Sequence, residues 1–566
     1  MSNKTTTTHD APSMRTTPPV SGRLVLQWVF FVGYLLVFLW SWNKLNMSVF
    51  SFFSDLGNVG NLFKRMYPPD FGDMGRIVEA MVETIWMALL GTVGAVILSY
   101  PLALAAAHNT TKSKALRALS RGVITLSRAV PEIILAAIFV AAFGPGPFSG
   151  ILALALHSIG MIGRLFADAI ETATEQPREA VISVGATKRQ TTRSAILPQA
   201  LPSMIATSLF RFEINLRGSA ILGLVGAGGI GQIISESLET IQYRPALAAV
   251  LVLFVVILAI EIVSTSVRRS LIGEAANLQL SAQRYSFLKK MFQRRDARVN
   301  KAATAERRLS PPWTSERLFR TTMLASAIVL IVAAIVTVNV DWIRAITNFD
   351  QISIVLKQML PPSFSGERSN VFTGLIESFA ISVVATTLGV AIALPLGVAM
   401  ARNINVRRWF STFMRMFVLA LRGIPELIIA VIFVSAMGLG AVPGTLALSV
   451  TVAVFAAKLF ADTMEEVSPA PREAVVSVGA TRPQEFISSV VPQFVSPFVA
   501  HFFYLLDVFF RSSTVLGIVG GGGIGFLLLQ SIRVFEFQLT TMIVLGVYLI
   551  VLSIEWLGLG VRRLYR

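Results

Sequence analysis

Long apolar runs divided by short polar ones set the pattern of this chain. Six stretches, residues 24–42, 84–107, 245–267, 321–340, 378–400 and 539–560, are apolar over nearly their whole length. Each is long enough to cross a bilayer as a helix, which takes about 18–20 residues. Six less uniform runs, 123–143, 148–170, 197–225, 413–438, 443–463 and 491–518, hold Pro, Gly and charges among their apolar residues. The pattern predicts an all-α membrane protein of about twelve transmembrane helices, six in each half. Odd counts stay open, because the third to fifth segments of each half have blurred ends.

The two halves repeat one another. Residues 177–199, PREAVISVGATKRQTTRSAILPQ, return 294 positions later as PREAVVSVGATRPQEFISSVVPQ, with 14 of 23 positions identical, and LGLVGAGGIG (222–231) returns as LGIVGGGGIG (516–525). The register holds without a gap from Glu83 to Arg269 against Glu377 to Arg563. Self-similarity on this scale means a duplicated domain. The expected organisation is a polar tail 1–22, a first half 23–269, a basic linker 270–319 and a second half 320–566, the halves being parallel repeats. The tail precedes a full-length apolar segment without a small-residue cleavage pattern, which reads as a retained helix rather than a cleaved signal peptide.

Charge fixes the expected orientation. The loop 108–122 holds Lys112, Lys114, Arg117 and Arg121 and no acid, and 401–415 holds Arg402, Arg407, Arg408 and Arg415 and no acid. Both are expected on the cytoplasmic side. Loops 43–82 and 341–372 balance bases against acids, as external loops do. Six spans per half then put both termini and the linker on the cytoplasmic side. From Arg268 to Arg320 thirteen Lys/Arg face four Asp/Glu, supplying +9 of the formal +17. That balance reads as topology and attraction to anionic lipid rather than nucleic-acid binding. With 14% charged residues the chain lies far below the roughly 25% of soluble domains. It has no cysteine, hence no disulfide or thiolate metal site, and His9, His108, His157 and His501 have no metal-ligand spacing.

Residues 171–199 are too polar to span and too orderly for a random loop. Pro177 suits the first turn of a short helix, Glu179 favours its positive end, and Gly185 ends it before Pro198 opens the next span. A solvated amphipathic hairpin is the alternative for one copy; two copies facing one compartment argue for a shared partner. The spacing Glu-Ala-x4-Gly, followed by x11 and a hydrophobic-Pro pair, resembles the EAA loop of binding-protein-dependent ABC importer permeases. Here it comprises Glu179, Ala180, Gly185 and Pro198, then Glu473, Ala474, Gly479 and Pro492. With LGLVGAGGIG, RAVPE (128–132), RGIPE (422–426), FEINLRGSA and LDVFFRSST, the chain is most similar to phosphonate-type permeases, over most of 83–269 and 377–563. The resemblance implies the type I importer permease fold with both halves of the pore in one chain. It also implies two copies of a cytoplasmic ATPase docked at Glu179, Ala180, Gly185, Glu473, Ala474 and Gly479, and an external substrate-binding protein.

Residues 226–231 and 520–525 satisfy GxGxxG, yet the strand, helix and acid of a dinucleotide site are missing from their surroundings. No GxxxxGK[ST] occurs and no Gly-Lys pair exists, so the chain is not expected to be its own P-loop ATPase; the permease resemblance implies a transport subunit that performs no catalysis and holds no cofactor. Gly226, Gly228, Gly229, Gly520, Gly522 and Gly523 are candidate gate residues; tight helix packing is the compatible alternative.

Charges within the spans form i,i+4 sets: Glu213/Arg217, Asp507/Arg511, Arg128/Glu132, Arg422/Glu426, Arg164/Asp168 and Lys458/Asp462. Charges at membrane depth demand pairing or a cavity. The third- and fourth-helix sets are read as structural pairs near the cytoplasmic ends. Arg217 and Arg511, with Glu213 and Asp507, are the candidate translocation pathway for a phosphonate-like anion. Two other readings stay open: a methionine or other small-solute ABC permease, and an ion-gradient-driven transporter of two parallel six-helix repeats with Glu261 and Glu555 as proton carriers.

Overall fold

The computed structural model describes residues 22–48, 57–58, 60–62, 64–276, 315–347, 350–404 and 407–564. Residues 1–21 of the expected tail and 277–314 of the expected linker lie outside them. Among the described residues the chain is helical and has no strand. The first half comprises α1 (Gly22–Lys44), α2 (Met74–Ala106), α3 (Lys114–Ala129), α4 (Glu132–Phe143), α5 (Pro147–Glu171), α6 (Glu175–Ser183), α7 (Leu197–Leu222), α8 (Ile230–Glu239) and α9 (Tyr243–Ala276). The second comprises α10 (Ser315–Thr337), α11 (Arg368–Met400), α12 (Arg408–Arg422), α13 (Glu426–Met437), α14 (Ala441–Glu465), α15 (Pro469–Ser477), α16 (Val491–Leu516), α17 (Gly525–Arg533) and α18 (Phe537–Leu564).

Eight described helices are long and apolar enough to cross a membrane, or up to eleven if each bent pair counts as one span. The count differs from twelve for a physical reason. The third span of each half is broken: α3 and α4 meet at 86°, α12 and α13 at 75°. Pro131 and Pro425 cannot donate a backbone hydrogen bond and cap the second piece of each, and Val130 before Pro131 is extended, as pre-proline sterics favour. The basic stretches expected as loops are partly helix, since α3 begins at Lys114 with Ser113 Oγ accepting from Leu116 N at 3.3 Å. In the second half's first span, the apolar helix meeting a span's composition is short, Leu324–Thr337.

Small residues let the long helices lie close. A Cβ on Gly91 would sit 2.7 Å from Leu154 Cβ, joining α2 to α5, and one on Gly389 would sit 2.4 Å from Val452 Cβ, joining α11 to α14. Van der Waals packing of this kind, rather than water exclusion, holds helices together in lipid. The halves also exchange their outermost helices. α1 packs on α11 and α18, with Tyr34 Oη 2.6 Å from Thr387 Oγ1 and Gln27 Nε2 donating to the Leu564 carbonyl at 3.0 Å, while α10 packs on α2. Each half thus covers the other.

Candidate functional site

Three features recur in both halves: an exposed short helix, a glycine turn and a charged break. The short helix α6 starts at Glu175, two residues before Pro177, and α15 starts at Pro469. Glu179, Ala180, Gly185, Glu473, Ala474 and Gly479 are all exposed, and the apolar Val184 and Val478 are 81% and 82% exposed. Gly185 (φ 80°) and Gly479 (φ 84°) close the helices in left-handed conformation, with no atom within 4 Å of a notional Cβ. Only the backbone turn requires glycine there. Gln199 and Gln493 tie each loop to the following helix, accepting from Thr174 N at 3.1 Å and Ser468 N at 3.2 Å. The second loop is held more firmly, because Arg472 reaches Glu485 at 2.6 Å and the Asn403 carbonyl at 2.9 Å. Its counterpart Arg178 lies 3.6 Å from Glu175.

The glycine runs form turns at the far ends of α7 and α16. Gly226, Gly228 and Gly229 have φ of 89°, 86° and 73°, and Gly520, Gly522 and Gly523 have 86°, 77° and 80°. Side chains are barred as well: a Cβ would approach Glu83 Oε1 to 2.3 Å at Gly228 and Ser378 Oγ to 2.4 Å at Gly523. Glu83 Oε1 accepts from Gly229 N at 3.1 Å and Thr84 Oγ1 from Ile230 N at 2.8 Å; Ser378 Oγ accepts from Ile524 N at 2.9 Å. These contacts give the turns a packing role. Sequence reasoning missed Glu83, Thr84 and Ser378, although the aligned register places Thr84 opposite Ser378.

The breaks of the third spans lie deep in the fold. A Cβ on Gly160, midway along α5, would meet Arg128 N at 2.8 Å, so Arg128 sits at mid-helix depth and not near a cytoplasmic end as expected. The helical pairing expected of Arg128 with Glu132 is lost at the break. Glu132 instead lies 3.8 Å from Arg211 and 4.0 Å from His157. Arg211 Nε donates to Ser158 Oγ at 2.8 Å, Ser158 to Asn215 Oδ1 at 3.1 Å, and Asn215 Nδ2 to Thr92 Oγ1 at 2.9 Å. In the second half Glu426 accepts from Ser512 Oγ at 3.1 Å, and the Arg422 guanidinium lies 5.5 Å from the Phe455 ring centroid. The signal for Arg211 was visible, since Leu505 occupies its repeat position.

Of the four pathway candidates, Arg511 touches a break directly. Arg511 pairs with Asp507 as its spacing predicts and donates through Nη1 to the Arg128 carbonyl at 3.1 Å, across the two halves. Arg217 pairs with Glu261 of α9 at 3.0 Å, a partner the intrahelical reading did not select; Glu213 and Arg422 are also within electrostatic reach. Arg164 lies 3.8 Å from Asp168 as expected, and Asp462 lies 3.6 Å from Arg415. No group of three or more potential metal ligands occurs among the described residues.

Comparison with known proteins bears on this arrangement. The profile of the family "Binding-protein-dependent transport system inner membrane component" matches residues 99–273 and 393–564. The chain is 39% identical to the "Phosphate-import permease protein PhnE" of Mycolicibacterium smegmatis, over 89% of this chain and 88% of that one. It is 38% identical to the "Phosphite transport system permease protein PtxC" of Stutzerimonas stutzeri, over 38% of this chain and 78% of that one. It is also 38% identical to the "Putative phosphite transport system permease protein HtxC" of the same organism, over 36% and 72%. The latter two therefore correspond to about one half of this chain. The gradient-driven alternative does not fit the family description, and Glu261, one of its two candidate proton carriers, is engaged by Arg217. The chain belongs to the binding-protein-dependent transport system inner membrane components, permease subunits without their own ATPase, and carries that permease domain twice.

Proposed function

We propose that the chain is the complete transmembrane pathway of an ABC importer for phosphonate or a related phosphorus oxyanion. It comprises about twelve membrane helices in the type I permease arrangement, with halves 23–269 and 320–566 joined by the linker 270–319. The observation that carries the substrate class is the meeting of two broken spans with Arg217 and Arg511 in the interior. The half-helices α4 and α13 begin there and present positive dipole ends. Guanidinium groups add permanent charge suited to tetrahedral oxyanions. Glu261, Asp507 and Glu213 keep these cations compensated at rest, so an anion competes with an internal carboxylate and is held weakly enough to leave. The names of the phosphate and phosphite relatives support the same class.

In this reading α6 and α15 dock into two copies of a cytoplasmic ATPase through Glu179, Ala180, Gly185, Glu473, Ala474 and Gly479, with Val184 and Val478 as apolar contacts. ATPase closure moves both helices as rigid bodies and opens the pathway toward an external binding protein. The turns at Gly226, Gly228, Gly229, Gly520, Gly522 and Gly523 are the pivots against which the outer gate closes. Both termini and the linker lie on the cytoplasmic side of a bacterial inner membrane.

The deciding experiment is ligand-dependent ATP hydrolysis and uptake by the reconstituted complex, across phosphonates, phosphite, phosphate and methionine. Stimulation by phosphorus oxyanions is expected, and stimulation by methionine alone overturns the substrate class. Arg217→Ala with Arg511→Ala is expected to lower uptake at least tenfold; unchanged uptake at every substrate concentration removes these residues from the pathway.

A further inference from the structure

The ends of α8 and α17 pose a problem that packing does not solve. Each helix closes in a Schellman turn. Gln242 N donates to the Ser237 carbonyl at 2.7 Å and Ile241 N to Leu238 at 3.1 Å; Glu536 N donates to Ser531 at 2.8 Å and Phe535 N to Ile532 at 3.1 Å. The residue after the cap is left-handed in both, at φ 61° for Ile241 and 60° for Phe535. Glycine or asparagine is the usual occupant, and a β-branched or bulky residue is strained there. Both copies nevertheless carry a large apolar residue at this equivalent position, and it is a different one in each. Neither is held by burial, for Ile241 is 69% and Phe535 66% exposed.

A loop bearing an exposed large side chain is fastened near each tip. Asp70 N donates to the Arg244 carbonyl at 3.2 Å and Ser363 N to Gln538 at 3.3 Å. These bonds hold the loops bearing Tyr67, 71% exposed, and Leu360, 64% exposed, against the starts of α9 and α18. Both tips lie at the end of the molecule opposite α6 and α15. Ionic groups surround them: the exposed Arg76–Glu236 pair at 2.7 Å, with Glu239 and Arg244, in the first half, and Arg533 and Glu536 in the second. Such charges mark an aqueous layer rather than the hydrocarbon of the bilayer.

We propose that Ile241 with Tyr67, and Phe535 with Leu360, are paired docking knobs for the external substrate-binding protein, one per half. The inference rests on the importer reading, in which a soluble protein must settle on this face and meet both halves. Isolated apolar anchors in a polar rim are the usual energetic centres of a transient protein interface. Unequal knobs, Ile with Tyr against Phe with Leu, would also fix which way round an asymmetric partner sits.

The test uses the full chain with its ATPase in nanodiscs and a purified phosphonate-binding protein as probe. Ile241→Asp with Phe535→Asp is expected to raise the binding-protein concentration for half-maximal ATPase stimulation at least tenfold, with basal hydrolysis unchanged. Ile241→Gly with Phe535→Gly, which relieves the backbone, is expected to preserve or raise thermal stability while producing the same loss of stimulation. A photo-crosslinker at 241 or 535 is expected to capture the binding protein. Unchanged stimulation in the Asp and Gly variants, or capture of lipid alone, overturns the docking assignment. Absence of any stimulation in the wild type by binding proteins for phosphonate, phosphite or phosphate would instead overturn the importer reading on which it rests.

Discussion

The two halves differ in the layer behind the broken third span. In the first half this layer is polar: Arg211, Ser158, Asn215 and Thr92 form one buried chain of hydrogen bonds, and the Arg211 guanidinium lies 3.8 Å from Glu132 as an ion pair. At the equivalent positions the second half has Leu505, Val452, Phe509 and Thr386, all buried. The same kinked backbone is therefore supported by hydrogen bonding in one copy and by aliphatic and aromatic packing in the other. Proline, common to both, sets the break; the layer behind it sets how the break's carboxylate is compensated. Glu132 is answered by a cation, Glu426 by the Ser512 hydroxyl, where the first half has Gly218.

Arg211→Leu, which copies the second half into the first, should break this comparison most severely. It leaves Glu132 buried without its cation and should cost about 3–5 kcal/mol, read as thermal unfolding in nanodiscs. Adding Glu132→Gln should recover part of that loss; no recovery would show that the arginine serves packing alone. Next in size, Gly231→Ala and Gly525→Ala should destabilise to a similar degree, by about 1–3 kcal/mol or more. A Cβ there would lie 1.8 Å from the Ala220 carbonyl oxygen or 1.9 Å from that of Thr514, and widely unequal losses would show that the turns are not equivalent. Ser512→Ala, which removes a hydroxyl from Glu426, should cost about 1–3 kcal/mol. Gly185→Ala should be mildest, about 1 kcal/mol or slightly more from backbone conformation, and should leave basal folding intact; a larger loss would contradict the open space around that position.

Much of the site could be read from the chain because duplication exposes it. The exposed short helices and glycine turns have local causes, a proline in the first turn, a glycine at a left-handed position and a bar on side chains, so both copies keep those prolines and glycines. Arg211 against Leu505 was legible as a mismatch, but not its meaning. Helical spacing selected Glu132 for Arg128 and went astray where the helix breaks; it selected Glu213 for Arg217, which Glu213 does reach electrostatically, but could not see that Glu261 of another helix supplies the closer carboxylate.

The sequence by itself determined the duplication, the positions of the apolar segments, the two short polar helices and the absence of an ATPase motif, since each rests on composition or on contacts a few residues apart. Only the tertiary structure decided that α1 and α10 cross to the opposite half, that Arg511 reaches the Arg128 carbonyl, that Arg217 reaches Glu261, and that Ile241 and Phe535 stand exposed on equivalent tips. Those partners are separated by tens to hundreds of positions. Their meeting depends on the angles at which helices break and pack, and these are set by shape complementarity over whole helix faces rather than by local periodicity.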